Sequence, residues 1–301
     1  MPGRVYGESR VSSGNAVRLA AMEAPVLQPP GSSVSSPVRR VRIAAVADLH
    51  VRGTEIAPSF PDLSRLSEKA DLLLVAGDLT DNGRLVEAEA VGELLGSARI
   101  PVAAVLGNHD LRTLRRAAFR RALERRGVEL LEGGSAQWRL PNGVRVGIAG
   151  TIGCGGGFWP VEGPDAIHTR TLKRLAVRVR SEALALDRAL ATLDADVEIA
   201  LTHFAPTIST LGNEPPGKYW MLGNCEFGVV LDRHAPAIVV HGHAHHGTLR
   251  GRTPGGVPVR NVALPIVGGI HFEVLEASPA LGKARGGVGQ PRHWLCSPCR
   301  T

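Results

Sequence analysis

The sequence predicts an α/β protein in which helices cover sheets within a single domain, opening in alternating strand and helix order and closing mainly in strands. Three observations carry this. Apolar, β-branched bursts at 42–47, 72–76 and 102–106 each end at a turn containing Gly or Asp. The segments between them are long enough for the crossover helices of a βαβαβ unit. Later bursts at 197–201, 237–240, 257–263 and 270–275 follow with less helical pattern between them.

Taken in order, the 42–47 burst is the first strand, 72–76 the second, and 85–95 has the apolar spacing of a helix returning to the third strand at 102–106. A second helix is expected over 111–126, its outer face carrying Arg112, Arg115, Arg116, Arg120 and Arg121. Strands are expected at 128–131, 137–140 and 144–149, the last two joined by an Asn142-Gly143 hairpin turn. A Gly-rich loop and a helix over 171–193 precede the strands that finish the domain. Residues 1–40 are rich in Ser, Gly, Pro and Val without period, and the run from Gln28 to Pro37 has linker composition. They read as a disordered basic tail, 41–276 as the domain, and 277–301 as a loose C-terminal tail.

Composition narrows the function classes. With 301 residues, 44% hydrophobic, the chain can bury roughly three quarters of its unfolded surface, and it has no apolar run of membrane-spanning length. The apolar window at 19–27 is interrupted by Glu23 and followed by Pro29 and Pro30, a poor secretory signal, so a cytoplasmic location is expected. Cys154, Cys225, Cys296 and Cys299 are too sparse for a disulfide scaffold and are expected to be reduced. The net charge of +7 belongs to the ends: 1–42 and 277–301 each carry +4, leaving −1 for the middle. A nucleic-acid groove is therefore not indicated.

Five short motifs sit where apolar bursts end: Asp48-Leu-His50, Gly77-Asp78-Leu-Thr-Asp81, Gly107-Asn108-His109-Asp110, Thr202-His203 and Gly242-His243-Ala-His245. Strand ends are where α/β sheets place ligands. Extended backbone turns residues two apart to one side, so Asp48 with His50, and His243 with His245, are each placed to share a cation. Asp78 follows a Gly that permits close approach of backbone, and its two oxygens can bridge two ions. Asn108 adds a neutral carbonyl oxygen and His203 an imidazole nitrogen. This mixed N and O set, without thiolate, suits divalent Mn, Fe, Zn, Ni or Co. Seven candidate ligands are too many for one ion, and two ions about 3.5–4 Å apart are a standard device for displacement at phosphorus. Such ions supply about +4 against −2 from Asp48 and Asp78 and −1 from a bridging hydroxide, leaving a site of about +1 that attracts a phosphate ester.

In this order the motifs resemble the calcineurin-like metallophosphoesterase superfamily, whose pattern is D-x-H, GD, GNH-[DE], H and GHxH. The resemblance covers 48–245 and no ligand position is substituted. It implies a four-layer αββα sandwich with two divalent metals at the strand ends. One ion would take Asp48, His50, Asp78 and His245, the other Asp78, Asn108, His203 and His243. The resemblance also makes His109 the proton donor or charge stabiliser at the leaving oxygen, oriented by Asp81, whose carboxylate would favour the charged imidazole. The expected activity is hydrolysis of a small-molecule phosphomonoester or phosphodiester by metal-activated hydroxide; phosphoprotein phosphatases and nucleases use the same ligand set, and a non-catalytic metal-binding module is the reading of another class.

Singly, each of these residues has an ordinary reading: Asp48 and Asp78 as helix caps, Asn108 as a turn residue, His203 as a core histidine. His241 is expected to be a strand residue, and His168, His234 and His271 structural or superficial. His293, Cys296 and Cys299 lack a fourth ligand nearby for zinc, and the Gly153–157 run lacks the Lys and Ser/Thr of a phosphate-binding loop. Phe158-Trp159 and Tyr219-Trp220 are placed either to line the rim of the site or to seal the core edge. The Arg-bearing helix is expected to be a solvated face.

Overall fold

A computed structural model describes residues 39–56, 60, 62–158 and 169–277. Trp159, His168, His293, Cys296, Cys299 and nearly all of the two expected tails lie outside the described residues.

Along β1 (Arg40–Val46), Val41, Ile43 and Ala45 point to one side and Ala44 and Val46 to the other, and all five are buried. Such a strand needs cover on both faces, and β2 (Leu72–Ala76) and β3 (Val102–Val105), buried along their whole length, follow the same rule. β2, β3 and β4 (Val128–Leu130) run parallel beside it, and β11 (His271–Glu276) closes the edge antiparallel, in the order β11-β1-β2-β3-β4. A second sheet has the order β5 (Gly134–Arg139), β6 (Arg145–Thr151), β7 (Val197–Thr202), β8 (Ile238–His241), β10 (Pro258–Asn261), β9 (Arg250–Arg252). Its centre is parallel and its two edges antiparallel.

Four layers result. Helices α1 (Leu85–Gly96) and α2 (Arg116–Glu124) set Val91, Leu95, Phe119 and Leu123 against the Ala44 and Leu73 face of the first sheet. The opposite face, with Ile43, Leu72 and Leu74, meets Val146, Ile199 and Val240 of the second sheet. Ala200 and Val239 then turn outward beneath Leu186 and Leu190 of α3 (Thr169–Ala191) and Phe227 and Leu231 of α5 (Cys225–His234). Each fully buried Leu or Ile contributes about 1.5–3 kcal/mol by leaving water. Two single-turn helices, α4 (Tyr219–Leu222) and α6 (Leu264–Val267), complete the set. No described helix is long and apolar enough to cross a membrane.

One expected element divides. The helix expected over 111–126 is a 3-10 turn at Asp110–Arg112, an extended break at Thr113, and then α2. The cause is Asp110, fully buried, whose carboxylate takes the backbone amides of Leu79, Thr80 and Gly107 and the Thr80 hydroxyl at 2.7–3.1 Å. A helix in continuous register from here would have to bury Leu114, which is instead fully exposed. Arg112 is thus not on the helix face; Arg116 and Arg120 are, paired there with Glu132 and Glu124 as a solvated face should be.

Candidate metal centre

The parallel strands of both sheets end along one edge, and the loops leaving them are stitched together there. Asp48 N donates to Gly77 O, His50 N to Asp78 O, and Gly242 N to His203 O. Glycine at two of these turns admits side chains where a Cβ could not stand. A Cβ on Gly77, at φ +87°, would lie 2.5 Å from His203 Nδ1, and one on Gly107 would lie 2.0 Å from Asp78 Oδ1 and 2.2 Å from its backbone N. Gly107→Ala is therefore expected to displace the Asp78 loop, lowering the melting temperature and reducing turnover at least about tenfold, or ~1.4 kcal/mol. Calorimetry and a steady-state assay check this; unchanged activity would contradict the close approach.

The candidate ligand residues converge, but not by strand alternation. Asp48, His50, Asp78 and His243 stand at φ +60°, +46°, +49° and +69°, four of the six non-glycine residues in the left-handed region among the described residues. Extended backbone was the expected means of pairing Asp48 with His50 and His243 with His245; tight left-handed turns beyond the strand ends do it instead. Each such residue costs about 1–3 kcal/mol of strain, and strain concentrated at one strand edge marks a functional place.

Two groups form. Asp48, His50 and His245 present ligand atoms all within 4.8 Å of one another, and so do Asp78, His203 and His243. Asp78 stands between the groups: its Oδ1 is 3.5 Å from His203 Nε2 and its Oδ2 is 3.7 Å from His50 Nε2. Asn108 Oδ1 joins the second group, 3.0 Å from His203 Nε2. Asp48 Oδ1 receives His245 Nε2 at 3.0 Å while its Oδ2 receives His243 N at 2.9 Å. His203 Nδ1 donates to Ala76 O at 2.8 Å, which fixes the ring and turns Nε2 inward.

Do these residues fit a cation? Both ring nitrogens of His50 are buried without a hydrogen-bond partner, although Asp48 and Asp78 lie only 3.9 and 3.7 Å from Nε2. Orphaned nitrogens beside two buried carboxylates are unfavourable in a closed polar network and ordinary at a metal position. Titration points the same way. Burial works against the charged forms of Asp48 and Asp78, yet the surrounding histidines and backbone amides hold both carboxyls below the usual range. His203 is pushed up to about 9, because the charge of Asp78 and its hydrogen bond overcome burial. Burial and the neighbouring His203 push His243 down to about 3. A proton on His203 occupies the place a cation would take among the same atoms.

His109 stands at the rim, its ring edge-on to His50 with centroids 4.5 Å apart. Its Nδ1 meets the main-chain oxygen of Asp81 at 2.8 Å, while the Asp81 carboxylate is 3.5 Å away. Arg112 Nη2 sits 3.1 Å from His109 Nε2. A guanidinium has no acceptor, so Nε2 accepts from Arg112 and Nδ1 donates to Asp81 O. Asp81 thus reaches the ring first through its main-chain oxygen, with its carboxylate farther off. His50, Asp81 and His109 form a third group of close ligand atoms.

Sequence reasoning missed several supports. Asp110, pushed up to about 6 by burial, ties the Asp78 and Asn108 loops together. Glu87, three residues into α1, accepts from Asn82 N, Arg84 N and Gly53 N, and an acidic residue in the first helical turn was the available signal. Arg52 and Arg112 reach Asp81 from two further loops. His241 is a buried strand residue bonded to Thr210, and His234 and His271 pair with Asp187 and Glu273. Phe158 is buried with Ala205, Leu211 and Leu222 and seals the core edge, and it is Met221 O of α4, just past the 215–220 segment, that comes within 3.3 Å of His243 Nε2.

Comparison with known proteins adds three findings. Residues 41–247 match the family model described as calcineurin-like phosphoesterase. The crystal structure of phosphopantetheinyl hydrolase (PptH) from Mycobacterium tuberculosis is similar in fold, with TM-score 0.50 and 17% identity over 73% of this chain and 88% of that one. TT1561 of Thermus thermophilus aligns at TM-score 0.41 and 16% identity, over 74% of this chain and 89% of that one. No curated protein matches the chain.

Proposed function

The chain belongs to the calcineurin-like phosphoesterase family, and on that premise we propose that it hydrolyses small-molecule phosphoesters at a centre holding two divalent cations. Asp48, His50 and His245 would hold one, His203, His243 and Asn108 the other, and Asp78 both. When bound, the ions supply Lewis acidity, offsetting charge on the phosphoryl oxygens and making a water acidic. The observation that carries the reading is the placement of Asp78, with one oxygen toward each group, beside the orphaned nitrogens of His50.

The chain's own residues do the positioning. Asp110 and Glu87 clamp the loops that carry Asp78, Asn108 and Asp81, so the ligands are set before any substrate arrives. His109, anchored through Nδ1 on Asp81 O, turns Nε2 outward; with a proton on Nε2 in place of the Arg112 contact, it would meet the leaving oxygen and pass that proton to it. The near-neutral middle of the chain favours a small ester over a polynucleotide, which would need many Lys and Arg contacts.

Mn²⁺-reconstituted protein is expected to hydrolyse p-nitrophenyl phosphate, bis(p-nitrophenyl) phosphate or both, with activity abolished by a chelator and restored by added metal. Silence on both esters would favour the non-catalytic module, and full activity after metal stripping would remove the two-cation mechanism.

A further inference from the structure

Arg112 is used by nothing in the reading above, yet its guanidinium occupies the place where a leaving group would come. It touches His109 Nε2 at 3.1 Å and Asp81 O at 2.9 Å. Arg52 lies on the other side of the same residue, its Nε 2.9 Å from Asp81 Oδ2. Two guanidiniums thus bracket a single acidic residue. The three come from the loops that follow β1, β2 and β3, so the bracket belongs to the strand edge itself. Asp81 is well shielded, with 17% of its side chain exposed, while that of Arg52 is 77% exposed and Arg112 is also open to solvent. The charge that this corner turns to solvent is therefore positive: the guanidiniums of Arg52 and Arg112 face outward, while Asp81 and the buried Glu87 behind Gly53 and Asn82 do not.

We propose that Arg112, supported by Arg52, forms a subsite for an anionic leaving group, so that the preferred substrate is a phosphoester whose departing alcohol or phenol carries a phosphate or carboxylate of its own. This rests on the phosphoesterase reading and on His109 facing the leaving oxygen. An oxygen arriving at Nε2 must displace the guanidinium that caps it. A leaving group with a second anion gives that guanidinium a new partner within a few ångströms, in the bidentate geometry that Arg offers carboxylates and phosphates. A neutral leaving group leaves the displaced guanidinium to water, with no charge-assisted partner in exchange. Discrimination thus arises at the residue nearest the proposed proton transfer.

The test uses 3-carboxyphenyl and 3-carbamoylphenyl phosphate, alike in shape and different in leaving-group charge, each offered as the monoester and as its methyl diester to the metal-reconstituted full-length protein. The wild type is expected to favour the carboxylate by about tenfold in kcat/KM, a preference that shrinks with added salt. Arg112→Ala is expected to erase most of that ratio and Arg112→Lys to restore part of it. A purely structural Arg112, merely steadying His109, would lower both substrates by the same factor; an unchanged ratio in Arg112→Ala beside measurable turnover overturns this inference alone. A wild type inactive on all four esters overturns the phosphoesterase reading, and this inference with it.

Discussion

Asp78→Asn is expected to remove the bound ions and turnover together, lowering kcat/KM by about 10³ or more, which is roughly 4 kcal/mol of transition-state stabilisation. The asparagine keeps the size of the side chain, and its amide oxygen can still accept from His109 N, as Asp78 Oδ1 does at 2.8 Å. What it loses is the charge and the second acceptor oxygen, and therefore the ability to serve both groups of histidines at once. No other described carboxylate stands between the two groups: Asp48 is committed to His245 and His243 N, Asp110 is buried under the amides of the neighbouring loops, and Asp81 reaches only the His50 and His109 side. Metal analysis after dialysis is expected to give two ions per wild-type chain and fewer than one in the variant. Thermal denaturation supplies an independent readout. A ligand at a hundred times its Kd raises stability by about 2.7 kcal/mol, so Mn²⁺ should raise the melting temperature of the wild type and leave that of the variant nearly unmoved. A variant that keeps both ions and near-normal turnover would show that Asp78 does not join the two positions.

The fold was legible where burial leaves its mark on residue type. β2 coincides with its expected limits, because a parallel strand covered on both faces is written as an unbroken apolar run. β9 was not legible, since Arg250-Gly251-Arg252 joins the sheet through backbone pairing with β10 alone. α5 could have been read from Asn224, whose side chain accepts from Phe227 N, and from the spacing of Phe227, Val230 and Leu231. Helical spacing misled at 111–126, where Asp110 turns its carboxylate inward and the helix begins only afterwards. The same division holds at the centre. The candidate ligands could be picked out because only a few side chains bind divalent ions, and five motifs at strand ends place them near one edge. How they are aimed was hidden, because Asp and His tolerate a left-handed backbone better than most residues but do not fix one, and Asp48, His50, Asp78 and His243 all adopt it. Arg112 was hidden for a related reason: on an uninterrupted helix it would be one more solvated arginine, whereas the 3-10 turn at Asp110–Arg112 sets residues three apart one above the other and so brings it onto His109.

His109→Ala separates chemistry from metal binding. The substitution is expected to retain both ions while lowering turnover of an alkyl or phenyl ester by about 10²–10⁴, the range of a positioned proton donor. Retention follows from the geometry. The contact that His109 makes with Asp78 runs through its backbone amide, which alanine keeps. Its ring is anchored outside the two ligand groups, on Asp81 O, so removing it leaves Asp48, His50, Asp78, Asn108, His203, His243 and His245 with their partners. The leaving group then distinguishes a proton donor from a mere wall of the pocket. A p-nitrophenolate departs with little need of a proton, whereas an alkoxide does not, so the cost of the substitution should be small for p-nitrophenyl esters and should grow as the leaving alcohol becomes less acidic. Equal losses across such a series would deny His109 the proton transfer, and loss of the ions along with turnover would make it a structural support of the metal centre.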